Sequence, residues 1–333
     1  MKYPRLIRAA DVRRLGQDPA TLARRCRQGE LERVYHGSYV TAVEWQQLSR
    51  VEQYGLGVSA FNEAVTRPAV LCHASAALLW GLWIVGVPGR THVVTETRTS
   101  GRSTKNIARH VGSLSESIVR CGPFLLTDKL RTTMALISEL AFPYAVAICD
   151  SALRQPVARQ QVNAFRPIGT LPGAEEPSWT TDGPQGPALS VDELRLAAAK
   201  LPTRAARNRV NAVINFASGL SGSAGESISR AKMYELGFPA PVLQKEFTLL
   251  TGKSANVDFW FEEQNVAGEF DGKGKYLRGD WSGGSMEERV WAEKCREDDI
   301  RSQGVRFVRW TWRDMSDRGT FAALLRRAGL PQR

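Results

Sequence analysis

The chain has 333 residues and a formal net charge of +11, enough length for more than one hydrophobic core and a field that attracts polyanions. Its five cysteines (Cys26, Cys72, Cys121, Cys149 and Cys295) are odd in number and lack a C-x-x-C pair, and its four histidines (His36, His73, His92 and His110) are dispersed; the spacing therefore points to no disulfide framework, catalytic triad or histidine-metal motif. The opening MKYPRLIRAADVRR lacks a signal peptide's apolar stretch, so a soluble, cytoplasmic protein without membrane contact is expected.

The first element is a helix over Leu6 to Leu15. A second starts at Asp18-Pro19, where a capping side chain precedes a first-turn proline, and stops at Gly29. Leu22 and Cys26 are spaced to face a core, while Arg24, Arg25 and Arg27 project elsewhere. Glu30 to Val40 alternates around His36-Gly37 as a hairpin that carries Arg33. Residues 1–45 therefore read as a winged helix-turn-helix that offers its second helix, with Arg24, Arg25, Arg27 and Arg33, to double-stranded DNA.

Residues 46–165 read as a mixed α/β middle domain. Leu71 to Val87 predicts a buried helix, since it is shorter than the roughly 20 residues of a membrane span. Thr91 to Thr97 predicts a strand, Ala135 to Leu153 an apolar helix, and Asp128 with Arg131 a helix-surface pair. Ser100 to Lys105 is a basic turn, read as a solvated loop rather than a phosphate contact. On LARRCRQGELERVYHGSYV, CHASAALLWGL and TDKLRTTMALI, the first 150 or so residues resemble AbiEi-type antitoxins. The resemblance implies an N-terminal winged helix that represses its own operon and a following domain that counters a nucleotidyltransferase toxin, a second partner beside DNA.

Residues 166–190 are dense in proline, glycine and acidic residues and read as a linker or extended loop. Beyond it, 191–333 predicts a helical lead-in and an α/β core: a strand over Val242 to Leu250, a hairpin, a helix from Ser285 to about Gln303, a strand over Val305 to Thr311 and a closing helix over Phe321 to Arg327. The GKS after Leu249 is not a phosphate loop, because Phe247 stands where a glycine is needed.

The hairpin carries the chemistry. Val257 to Phe261 and Val266 to Phe270 are strand-like, and a symmetric four-residue loop between them sets Phe261 against Val266 and Asp258 against Glu269. Directly opposed carboxylates, roughly 4.5 to 5.5 Å apart at Cβ, destabilise a sheet unless a cation neutralises them. Alternation adds Asp271 and Lys273 to the same face, unless Gly272 ends the strand. Hard oxygen ligands suit Mg²⁺ or Mn²⁺: Asp258, Glu269 and Asp271 would hold the metal, and Lys273 would orient the attacking water. The competing reading is a solvated acidic hairpin edge. Lys275 and the other basic residues nearby, Lys232, Lys245, Arg278, Lys294, Arg296, Arg301 and Arg306, could follow a phosphate backbone. Trp281, in WSGGS, could stack on a base, whereas most neighbouring tryptophans are expected in the core.

At Asp258 and Asp271-Gly272-Lys273 the chain resembles the PD-(D/E)XK restriction-endonuclease-like nucleases, closest to their Vsr-like branch. That resemblance implies a restriction-endonuclease-like α/β core, a Mg²⁺-dependent endodeoxyribonuclease and a helical glutamate completing the site, for which Glu226 is the match. Glu269-Phe270-Asp271 and Asp271-Gly272-Lys273 compete for the D/E-x-K register. The sequence thus leads to a multidomain α/β, DNA-binding protein with a metal-dependent endonuclease domain, acting in phage defence, restriction or DNA processing. The alternative is an AbiEi-like antitoxin and repressor whose nuclease-like domain is inert.

Overall fold

The computed structural model describes residues 4–97, 103–155, 185–272 and 286–333, without the side chains of positions 286, 287, 289 and 290. Lys273, Lys275, Arg278, Trp281, the helix cap expected at Ser285, part of the basic turn and most of the proline-rich segment lie outside them. The chain is mixed α/β and divides into two compact units: residues 1–139 with 152–211, and residues 140–151 with 212–333.

In the first unit, β1 (Ile7–Arg8) leads into α1 (Ala9–Arg14) and α2 (Ala20–Arg27), followed by β2 (Leu31–Tyr35) and β3 (Ser38–Thr41). The start of α2 is held by Asp18, whose Oδ1 accepts from Ala20 N at 2.9 Å; its end is marked by Gly29 at φ +76°. The strands order as β1-β3-β2, with Leu22, Leu31 and Tyr39 buried between helices and sheet. His36-Gly37 turns the hairpin, and Gly37, at φ +74°, takes the left-handed conformation that side chains resist.

Then come α3 (Ala42–Gln47), α4 (Arg50–Ala64), β4 (Val70–Leu71), α5 (His73–Trp80), β5 (Thr91–Thr95), β6 (Ile107–Val111), β7 (Ile118–Cys121), β8 (Phe124–Thr127) and α6 (Lys129–Glu139). Strand order is β6-β5-β4-β8-β7. Three expectations change here. The buried helix expected over 71–87 is a short strand plus a helix that stops at Gly81, φ +70°. The apolar helix expected over 135–153 is broken into α6 and α7 (Phe142–Leu153), because Pro143 has no N–H to donate and is tolerated only in a first turn. Asp128 and Arg131 do not form a surface ion pair. Asp128 Oδ1 instead accepts from Arg131 N at 2.7 Å, and the guanidinium donates to the Ser113 and Glu116 carbonyls. Residues 185–190 lead into α8 (Val191–Ala199) and are tied back within this unit: Gln185 N donates to Trp80 O, and Lys129 Nζ to Pro187 O.

In the second unit, most of α7 joins the end of α9 (Arg204–Phe216), α10 (Ala224–Glu235), β9 (Val242–Thr248), β10 (Ser254–Phe261), β11 (Val266–Phe270), α11 (Met286–Ser302), β12 (Arg306–Trp310), α12 (Trp312–Ser316) and α13 (Arg318–Arg327). The sheet runs β12-β11-β10-β9; β11 is antiparallel to β10 and parallel to β12. Both faces are covered, which explains why β11 is buried at every residue. Two separate apolar clusters form, one of Met233, Phe259, Phe270, Trp310 and Phe321 and the other of Val257, Trp260, Ala267 and Ile300. Close approach requires glycine against the core at positions 225 and 268. A Cβ at Gly225 would lie 1.9 Å from the Phe270 ring, and one at Gly268 would lie 2.6 Å from Trp310.

Beneath α10 lies a buried polar knot. Asp150, fully buried, accepts from Ser218 N (2.7 Å), Ser221 Oγ (3.1 Å), Ser227 Oγ (2.7 Å) and Arg230 Nη2 (2.8 Å). Burial pushes its carboxyl up and Arg230 pulls it back, so the knot depends on each partner.

Candidate functional site

The β10–β11 hairpin has the expected register: Phe261 pairs with Val266, Trp260 with Ala267 and Phe259 with Gly268. The paired register ends there, one residue short of the expected Asp258–Glu269 pair; Asp258 Oδ2 instead accepts from Phe270 N at 3.0 Å. Glu269 is 6% exposed. Asp258 and Asp271 are half-buried.

What neutralises the acidic face is guanidinium. Arg296 Nη2, from α11, donates to Glu269 Oε1 at 2.6 Å; Arg309 Nη2, from β12, lies 2.7 Å from Glu269 Oε2. Arg309 also reaches Asp271 Oδ1 (3.5 Å), Glu293 Oε1 (2.9 Å) and Glu297 Oε2 (2.8 Å). Burial pushes the Glu269 carboxyl up, against the pull of Arg296 and then Arg309. The hydrogen bond from Arg296 holds Glu293 down at about 2. Parallel pairing explains the geometry, because Glu269 stands directly across from Arg309. Arg296 is thus bound into an ion network rather than offered to phosphate.

Glu226 caps its own helix. Its N–H donates to Ser223 Oγ, and its carboxylate accepts from Gly222 N (2.6 Å), Ser223 Oγ (2.9 Å) and Gln244 Nε2 (3.2 Å). Lys245 pairs with Val257 and Leu243 with Phe259, so Gln244 stands at the register position across from Asp258. Gln244 carries φ +52°, a strained conformation for a side-chain-bearing residue. Gln244 on β9 thus links Glu226 on α10 to the strand beside Asp258, while Glu269 on β11 and Asp271 just beyond it are held by Arg309. Sequence reasoning missed Gln244 and Arg309; the available signal was the alternation in VRFVRW, which sets Arg309 one strand from Glu269.

Of the tryptophans, Trp310 is core, 1% exposed, and donates to Ser229 Oγ. Trp291 is 65% exposed, with Lys294 Nζ 5.8 Å from its ring centre. Lys245, Lys294, Arg301 and Arg306 are exposed, whereas Lys232 donates to Met315 O.

In the N-terminal unit, Arg24 and Arg27 on α2 and Arg33 on β2 are exposed. Arg25 is half-buried and paired with Glu30 at 2.8 Å. Among the described residues no helix is long and apolar enough to cross a membrane.

No curated protein matches the chain. A crystal structure of the Rv2827c protein from Mycobacterium tuberculosis aligns with a TM-score of 0.38 at 13% identity, over 68% of this chain and 75% of that one. Residues 1–42, the segment that holds α1, α2 and the β2–β3 hairpin, match the AbiEi_4 family model, described as a transcriptional regulator, AbiEi antitoxin.

Proposed function

We propose that the chain is a DNA-binding transcriptional regulator of the AbiEi antitoxin kind, with residues 1–45 acting as a winged helix-turn-helix. The observation that carries this reading is the family match over residues 1–42, which falls on the segment where α2 and the hairpin expose Arg24, Arg27 and Arg33. In such an arrangement α2 lies in the major groove while the hairpin and its arginine contact phosphate. A net charge of +11 adds sequence-independent attraction. A nucleotidyltransferase toxin is the proposed protein partner. The test is binding of the full chain to the DNA upstream of its own gene, with repression of a reporter from that promoter. Absence of both in a folded protein would reject the reading.

A second reading, a metal-dependent nuclease of the PD-(D/E)XK kind, is favoured by the acidic residues that α10 and the β10–β11 hairpin carry: Glu226, Asp258, Glu269 and Asp271. The donor set suits Mg²⁺ or Mn²⁺ in type. In the described arrangement it does not fit, because each Glu269 oxygen is already engaged by a guanidinium. The chemistry would require Arg296 and Arg309 to release it first. Cleavage of plasmid DNA with Mg²⁺ or Mn²⁺, lost in Asp258→Ala, would establish this reading. An inert wild type that still represses its promoter would leave the regulator alone.

A further inference from the structure

The β4–β5–β6 part of the first unit brings together three of the four histidines with a buried cysteine. Cys72 is 2% exposed and immediately precedes α5, His73 opens that helix, His92 lies on β5 and His110 on β6. His73 and His110 stack with ring centres 3.5 Å apart, and His92 Nδ1 is 3.0 Å from His110 Nε2. One ligand atom each from Cys72, His73 and His110 can be chosen so that all lie within 4.8 Å of one another.

We infer that Cys72, His73 and His110 form a binding site for a divalent transition metal of the zinc class. A thiolate and two imidazoles are the donor types such an ion takes in a tetrahedral site with one further position. His73 is the most telling member. Its Nδ1 is buried with no hydrogen-bond partner, which costs free energy in an empty site and which ligation satisfies. Its backbone is held at φ +47°, an uncommon conformation for a residue with a side chain. Glu139 Oε1, 3.4 Å from His73 Nε2, and His92, bonded to His110, are the outer partners that orient imidazole ligands. Stacked rings direct their lone pairs in parallel planes, so a ring turns about χ2 on ligation.

The test uses the full chain, tag removed, reduced and stripped with chelator, titrated with Co²⁺ as the spectroscopic probe. The expected result is saturation at one equivalent, with tetrahedral d–d bands and a thiolate charge-transfer band, both displaced by Zn²⁺. Cys72→Ser removes the charge-transfer band, and His110→Ala on β6 weakens binding at least ~10-fold, the scale on which even outer partners of a metal act. Cys295→Ser, at an exposed cysteine, leaves the titration unchanged. Absence of saturable binding in folded wild type, absence of the charge-transfer band, or binding that survives both substitutions would overturn the site. So would binding abolished by Asp258→Ala and untouched by His110→Ala. If Cys72→Ser fails to fold, His110→Ala alone decides.

Discussion

Arg309 Nη2 stands 2.7 Å from Glu269 Oε2 on the neighbouring strand, and the same guanidinium reaches Asp271, Glu293 and Glu297. Two arginines thus hold the acidic face of the C-terminal sheet together. Glu293 makes the network acid-labile. Its folded pKa, about 2, lies below its ordinary 4.5, so its contribution is complete above about pH 4.5 and fades as pH falls toward 2. Glu293→Gln should be less stable than wild type near neutral pH, with the gap closing over that window. Urea unfolding at stepped pH measures it, and a gap independent of pH would contradict the network.

The pairing of Asp150 with Arg230 at 2.8 Å, wholly inside the protein, predicts a larger effect. Arg230→Met leaves a buried carboxylate without its counter-charge, a change that costs about 3 to 5 kcal/mol. Arg230→Met combined with Asp150→Asn should recover part of that loss. Denaturant midpoints of the single and double variants give the coupling directly.

Helix α10 is seated on β11 because position 225 has no side chain. Gly225→Ala drives a methyl into the Phe270 ring, and overpacking of this kind costs about 1 to 3 kcal/mol. The thermal midpoint should fall, and the double variant Gly225→Ala, Phe270→Leu should fall less than the sum of its parts.

Burial alone lowers Lys129, 4% exposed, from 10.5 to about 8. Below about pH 8 both folded and unfolded chains carry its charge, and the burial penalty is complete. Between about 8 and 10.5 the unfolded chain binds a proton that the folded chain has released, so stability rises with pH. Wild type should therefore gain on Lys129→Met across that window; parallel stability curves would rule the effect out.

For DNA binding, Arg24→Ala and Arg27→Ala should each weaken affinity for duplex and lower the slope of log affinity against log salt by about 0.9 for every phosphate left without its arginine. Arg25→Ala should do less, because Glu30 already holds that guanidinium. Anisotropy titrations over a salt series distinguish the three.

The sequence by itself determined what is local. The β10–β11 register follows from four polar residues between two strand-like runs, and the ends of α2 follow from Asp18 and Gly29. Turn chemistry and a two-residue period act within about ten positions, so they can be read without the fold. The tertiary structure alone decided which charges meet. Glu269 reads as an exposed metal ligand when its near neighbours are carboxylates, yet Arg296 and Arg309 arrive from 27 and 40 positions away to neutralise it. His73, His92 and His110 are scattered in the chain and stacked in the fold, because a helix start and two parallel strands converge there. Burial and long-range pairing set the electrostatics of both places, and neither quantity is a property of a short stretch of sequence.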